Sequence, residues 1–260
     1  MKQVLKGLMP QLEVIYALTL RETRTRFGLS RLGYFWALLE PILFILMFWG
    51  IYSLLMRVSP DGMTLASFLA TGFVPYILFR NAAGRAASAI GANKGLLFYP
   101  QVRPLDLVVA RIVLEMATYA MAFAIIMMGE GLYEGRFEID DPLRLMLGFG
   151  LAGALGGSLG MVLCSLSVFS ESVDRVTGVL LRPLFWISGL FFTANSLPSD
   201  VRDLMLYNPV LHIVEIVRDG WHASYDAVYV DAMYPLAWIF VLSFFGLTLE
   251  RVARRRLEVT

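Results

Sequence analysis

Cysteine and histidine are nearly missing from this chain of 260 residues: Cys164 is its one cysteine, and His212 and His222 are its two histidines. One cysteine closes no intrachain disulfide, and so few nitrogen and sulfur ligands make a poor metal set. Charge is scarce as well. Charged residues make up 17% of the chain and hydrophobic ones 58%, whereas a soluble domain carries about a quarter charged. With 22 basic and 21 acidic residues the net charge is +1, so no overall basic field points to nucleic acid. A phosphate-binding loop is absent too. The stretch GANKGLL from Gly91 lacks the GxxxxGK spacing, so ATP hydrolysis is not expected of this chain. No cleavable leader is expected either, because the first long apolar run starts only near Leu32.

Long apolar runs are what the chain has. A spanning helix needs roughly 20 mostly apolar residues. By that measure the sequence predicts an all-α integral membrane protein with six transmembrane helices, at about 32–56, 65–83, 107–128, 143–169, 176–194 and 233–249. The second and fifth are interrupted, by Pro75 and Arg80 and by Arg182 and Pro183. Basic residues collect before the first run (Lys2, Lys6, Arg21, Arg24, Arg26, Arg31), between the second and third (Arg85, Lys94, Arg103) and in the tail (Arg251, Arg254, Arg255, Arg256). The link between the third and fourth runs is acidic, with Glu130, Glu134, Glu138, Asp140 and Asp141. Positive residues stay on the cytoplasmic side, which predicts both termini there.

Three further segments carry patterns of their own. Over 8–27, Leu8, Leu12, Ile15, Tyr16 and Leu20 recur at helical spacing before a basic end, predicting an amphipathic helix on the cytoplasmic membrane surface. Over 94–104, KGLLFYPQVRP, the side chains of Leu96, Leu97, Phe98 and Tyr99 need a partner or the interface. Over 197–222, Ser199 reads as an N-cap, and Asn208-Pro209 opens a second short helix. There His212, Glu215, Arg218, Asp219 and His222 share one face and Leu211, Val214, Val217 and Trp221 another, as expected of a re-entrant pair of half-helices.

Two matches to chemical motifs lead elsewhere. Gly156 to Gly160 fits GxSxG, but a nucleophile elbow needs a strand before it and a helix after it, and here it lies inside an apolar span. Gly153, Gly157 and Gly156, Gly160 repeat at four-residue spacing, which favours close helix packing. His212 and Glu215 sit three apart, within reach of one metal, yet a hydrogen-bonded polar stripe is the stronger reading. Charges in or near spans have more weight, because burying them in lipid is costly. Glu40 precedes Pro41 inside the first span, and Arg111 and Glu115 are four apart, placed to pair on one helix face. Aromatics crowd the first and fifth spans. Tyr34, Trp36, Phe44, Trp49, Phe185 and Trp186 are candidates for a pathway lining as well as for packing surfaces.

At this point two stretches identify a family. RETRTRFGLSRLGYFWALLEP, from Arg21 to Pro41, resembles the start of the ABC-2 type permeases that export capsular polysaccharide. YNPVLHIVEIVRDGWH, from Tyr207 to His222, resembles their extracytoplasmic re-entrant region, and the likeness covers essentially the whole chain as one ABC-2 transmembrane domain, 1–260. The resemblance implies a homodimer in the bacterial inner membrane, with the pathway between its subunits. It implies a separate cytoplasmic ATPase that binds ATP and Mg, no cofactor in this chain, and further periplasmic and outer-membrane export proteins. The substrate class is a lipid-linked, usually acidic glycan. Segments 8–27 and 94–104 would then dock on the ATPase, the second through Lys94, Leu97, Phe98, Tyr99 and Arg103. An acidic glycan with a phosphate-bearing lipid end would be drawn to cytoplasmic arginines, which marks Arg24, Arg26, Arg31 and Arg85 as entrance candidates. The likeness over 207–222 makes Asn208, Pro209, His212, Glu215 and Arg218 the re-entrant motif. An ABC-2 permease for O-antigen, teichoic acid or a drug is the alternative. A membrane enzyme lacks a convergent catalytic set, and a lone secondary transporter would be expected to show internal repeats.

Overall fold

A computed structural model describes residues 2–28, 31–55, 62–99, 101–135, 139–170 and 172–257. Among them all regular structure is helical: α1 Lys2–Phe27, α2 Arg31–Leu54, α3 Leu65–Ala87, α4 Ala89–Ala92, a 3-10 turn Lys94–Phe98, α5 Pro104–Glu134, α6 Pro142–Ser167, α7 Ser172–Ile187, a second 3-10 turn Ala194–Ser196, α8 Ser199–Met205, α9 Pro209–Trp221 and α10 Met233–Leu257. Proline opens α5, α6 and α9 at a position where its missing N–H costs no helical hydrogen bond. The caps are local. Thr64 Oγ1 accepts from the N–H of Ser67 ahead of α3, and Asp141 accepts from the N–H groups of Leu143 and Arg144 ahead of α6. Asn208 does the same for α9 through the N–H of Val210. Pro198, not Ser199, occupies the N-cap position of α8.

Among the described residues three helices are long and apolar enough to cross a membrane, α5, α6 and the Met233–Ala253 part of α10, and α2 holds a shorter apolar stretch, Leu38–Leu54. The centre of the bundle is α3. It is buried on nearly every side and packs against α2, α5, α6 and α9. The glycines of α6 explain the closest of these contacts. A Cβ on Gly156 would stand 2.3 Å from the Phe79 carbonyl oxygen, and one on Gly160 would stand 2.5 Å from that of Ala83. Gly153 and Gly157 face the other way and admit Met116 and Ile112 of α5. The GxSxG match is thus a packing seam, with Ser158 Oγ donating to Leu155 O in its own helix.

The fifth predicted span, 176–194, differs from what forms. Helix α7 stops at Ile187, after 16 residues, or about 24 Å of rise, short of a hydrocarbon core of about 30 Å. Beyond it the backbone bends through Gly189, at φ 77°.

Candidate functional site

The sequence-selected residues fall into three regions: a junction of α1 with α3 and α5, an aromatic cluster and the α8–α9 region.

The junction joins α1 to α3 and α5. Leu18 of α1 is buried with Ala86, Ala89, Ile90, Leu107 and Val108. The stripe expected to be the docking or membrane face (Leu12, Tyr16, Leu20) points away from the rest of the chain. The charges also differ from the sequence expectation: Arg111 and Glu115 do not pair with each other. Arg111 Nε lies 2.9 Å from Glu22 of α1, and its Nη1 donates to Arg85 O and Ser88 Oγ. Glu115 is buried and takes the guanidinium of Arg26. The reason is reach: partners on a neighbouring helix neutralise each charge where a same-helix pair would leave Glu22 and Arg26 unmatched. Of the entrance candidates, Arg24 is exposed, Arg26 is held by Glu115, and Arg85 is half exposed with Nε 3.8 Å from Glu115. The side chains of Arg31, Tyr34, Lys94 and Leu97 lie outside the described residues. Phe98, 88% exposed, and Tyr99 project from the 3-10 turn, and Arg103 is exposed at the start of α5.

The aromatic cluster joins α2, α3 and the end of α7. Phe44 stacks edge-on to Phe73 and Phe185, with centroids at 5.3 and 6.3 Å, and Trp186 stacks on Phe191 at 5.4 Å. Edge-to-face packing of this kind adds to simple burial. Phe73 and Tyr76 of α3 complete the cluster, and sequence reading missed them because the aromatic density lay in the other two segments. Trp36, Glu40 and Met47 line an open cleft of about 490 Å³ beside Phe44, while Trp186 is 65% exposed. Trp49 is separate from them. It lines a second cavity, with Leu46, Ile125 and Glu130.

In the α8–α9 region every residue from Val210 to Gly220 is buried, the polar face included. That face serves the bent segment after α7. Asn208 Nδ2 donates to Ile187 O at 3.1 Å and to Ser188 Oγ, and Arg218 Nη2 donates to Gly189 O at 2.8 Å. Glu215 accepts from Arg218 and from the Tyr225 hydroxyl. Buried non-helical backbone needs such partners, because lipid supplies none. His212 is used up on the other side: Nε2 bonds Leu206 O and Nδ1 accepts from the N–H of Asp231. Both ring nitrogens are thus engaged by backbone groups, as in a hydrogen-bonded polar stripe, and no cluster of three or more metal-ligating side chains occurs among the described residues. At the end of α9, burial and the nearby Arg218 charge push the His222 imidazole down to about 4.

Similarity to known proteins covers nearly all of these elements. The chain is 34% identical over 245 residues to the polysialic acid transport protein KpsM of Escherichia coli, covering 94% of this chain and 95% of that one. It is 30% identical over 240 residues to the capsule polysaccharide export inner-membrane protein CtrC of Neisseria meningitidis serogroup B, covering 92% and 90%. The capsule polysaccharide export inner-membrane protein BexB of Haemophilus influenzae is 28% identical over 241 residues, covering 92% and 90%. The sequence model of the family described as ABC-2 type transporter matches residues 13–221, and this chain belongs to that family.

Proposed function

We propose that the chain is the permease subunit of an inner-membrane ABC exporter of capsular polysaccharide, driven by a separate ATPase subunit. End-to-end similarity to three capsule-export and polysialic acid transport proteins carries this reading. The bundle is consistent with it: the motif that invites an enzymatic reading is a helix-packing seam, and the chain is a transport subunit, not an enzyme.

The finer reading has six crossings, by α2, α3, α5, α6, α7 with its bent extension, and α10, and both termini are cytoplasmic. Helices α8 and α9 form the re-entrant pair on the far side, and the outward stripe of α1 sits in the cytoplasmic leaflet. Two copies pair along the aromatic α2 and α7 faces. Trp36, Glu40, Phe44, Phe185 and Trp186 then border the pathway, where ring faces offer sugar C–H surfaces a slippery contact. The substrate is a lipid-linked acidic glycan. Arg24 and Arg85, exposed at the cytoplasmic end, are the stronger entrance candidates, because Glu115 already neutralises Arg26. Phe98, Tyr99 and Arg103 meet the ATPase, which binds ATP and Mg. Periplasmic and outer-membrane proteins continue the route.

Purification from native membranes in mild detergent, with mass spectrometry of what accompanies the chain, tests this. The expected result is a Walker-motif ATPase at one copy per permease, two of each per complex. A chain recovered without an ATPase in every mild detergent would overturn the exporter reading.

A further inference from the structure

Glu22 and Arg26 stand four apart on α1, and Arg111 and Glu115 stand four apart on α5 with the signs reversed. The two helices run in the same direction, so Glu22 meets Arg111 and Arg26 meets Glu115. This pattern fixes register. A slip of one turn brings Arg26 to Arg111 or Glu22 to Glu115, and like charges at close range in a partly desolvated site are strongly unfavourable.

The same helix is tied at two more levels. Gln11 bonds Asp106 in the first turn of α5, and Arg21 Nη1 donates to Asn93 Oδ1 at 2.8 Å. Asn93 lies at the root of the 3-10 turn that carries Phe98, and Leu96 of that turn packs in the Leu18 cluster. Arg111 also grips the end of α3 through Arg85 O. The two cytoplasmic segments are therefore one packed body, keyed by charge to a spanning-length helix.

We infer that α1 and the 89–99 segment form a single force-transmitting unit, and that the Glu22–Arg111 and Arg26–Glu115 pairs couple its displacement to α5. The inference rests on the proposed ATPase-driven reading. Arg26 and Glu115 are positioning residues: they touch each other, and act on transport by keeping α5 in step with α1. Because α1 cannot slide on α5 without meeting like charges, a push on Phe98 and Tyr99 is delivered to the middle of the bundle.

The test is a charge exchange in the permease–ATPase complex, read as glycan exported per ATP hydrolysed. Arg26→Glu alone, and Glu115→Arg alone, are expected to lower that ratio at least tenfold, and the double exchange to bring it back within threefold of the parent. Unchanged ratios in the single variants would overturn the inference, and so would a double exchange no better than the singles, the outcome expected if Arg26 acts by binding substrate. A second readout is amide hydrogen exchange over residues 14–26 in the purified permease. It should quicken at least tenfold in Arg26→Glu and in the milder Glu115→Gln, and return in the double exchange. Unaltered exchange would overturn the joint. This measurement needs no ATPase, so failure of the joint is distinguishable from failure of the exporter reading.

Discussion

Arg218, fully buried on α9, donates through Nη2 to the carbonyl of Gly189, 2.8 Å away in the bend that ends α7. Its guanidinium also lies over the Phe68 ring at 4.5 Å and pairs with Glu215. Arg218→Met leaves the Glu215 carboxylate buried without its cation and the Gly189 carbonyl without a donor. Removing one member of a buried pair costs about 3–5 kcal/mol. Thermal unfolding of the detergent-solubilised chain should show that loss. A cost below about 1 kcal/mol, within the range of an ordinary substitution, would mean that packing alone holds the bend.

The glycines of α6 should rank by what they face. Gly156→Ala and Gly160→Ala drive a methyl into backbone carbonyls of α3, so each should destabilise by about 1–3 kcal/mol or more. Gly153→Ala and Gly157→Ala meet the flexible ends of Met116 and Ile112 and should cost less. Ser158→Ala, which removes only a bond within its own helix, should leave both stability and export near the parent. Thermal melts of the five variants, with an export assay of Ser158→Ala, check the order.

His222 should make stability fall in mild acid. Its pKa is about 4 in the folded chain against 6.5 for the free side chain, so the unfolded state binds the proton more readily. Its contribution is complete above about pH 6.5 and is lost as pH falls toward 4. His222→Gln should flatten that part of the profile. Melting temperatures at pH 7.5 and pH 5 for parent and variant give the comparison; equal slopes would assign the acid sensitivity elsewhere.

Phe98 and Tyr99 are too exposed to stabilise the isolated chain. Replacing both with alanine should leave the melting temperature within about 1 °C, because exposed substitutions usually shift stability by less than about 0.5 kcal/mol. The same change should weaken retention of the ATPase and lower export. Unaltered retention and export would remove the 94–104 segment from the docking surface.

Composition and hydrophobic period determined the helical membrane character of this chain, because every 20-residue apolar run needs a fold that satisfies its own backbone. They also placed α2, α3 and α6 to within about four residues but left α1, α5 and α10 six to eight residues short at one end, and the small-residue seam was legible because glycine at four-residue spacing has one face to offer. Two stretches, of 21 and 16 residues, carried the resemblance to the family. Tertiary structure decided which partner each charge takes. The Arg111 and Glu115 spacing fits a same-helix pair equally well, and only the approach of α1 sends them to Glu22 and Arg26. It decided the length of α7 as well, since an apolar run does not reveal that Asn208 and Arg218, twenty to thirty residues later, will supply the donors that let the helix end inside the bundle. Hydropathy is a property of neighbours along the chain, whereas the pairing of a buried charge or carbonyl depends on what the fold brings beside it.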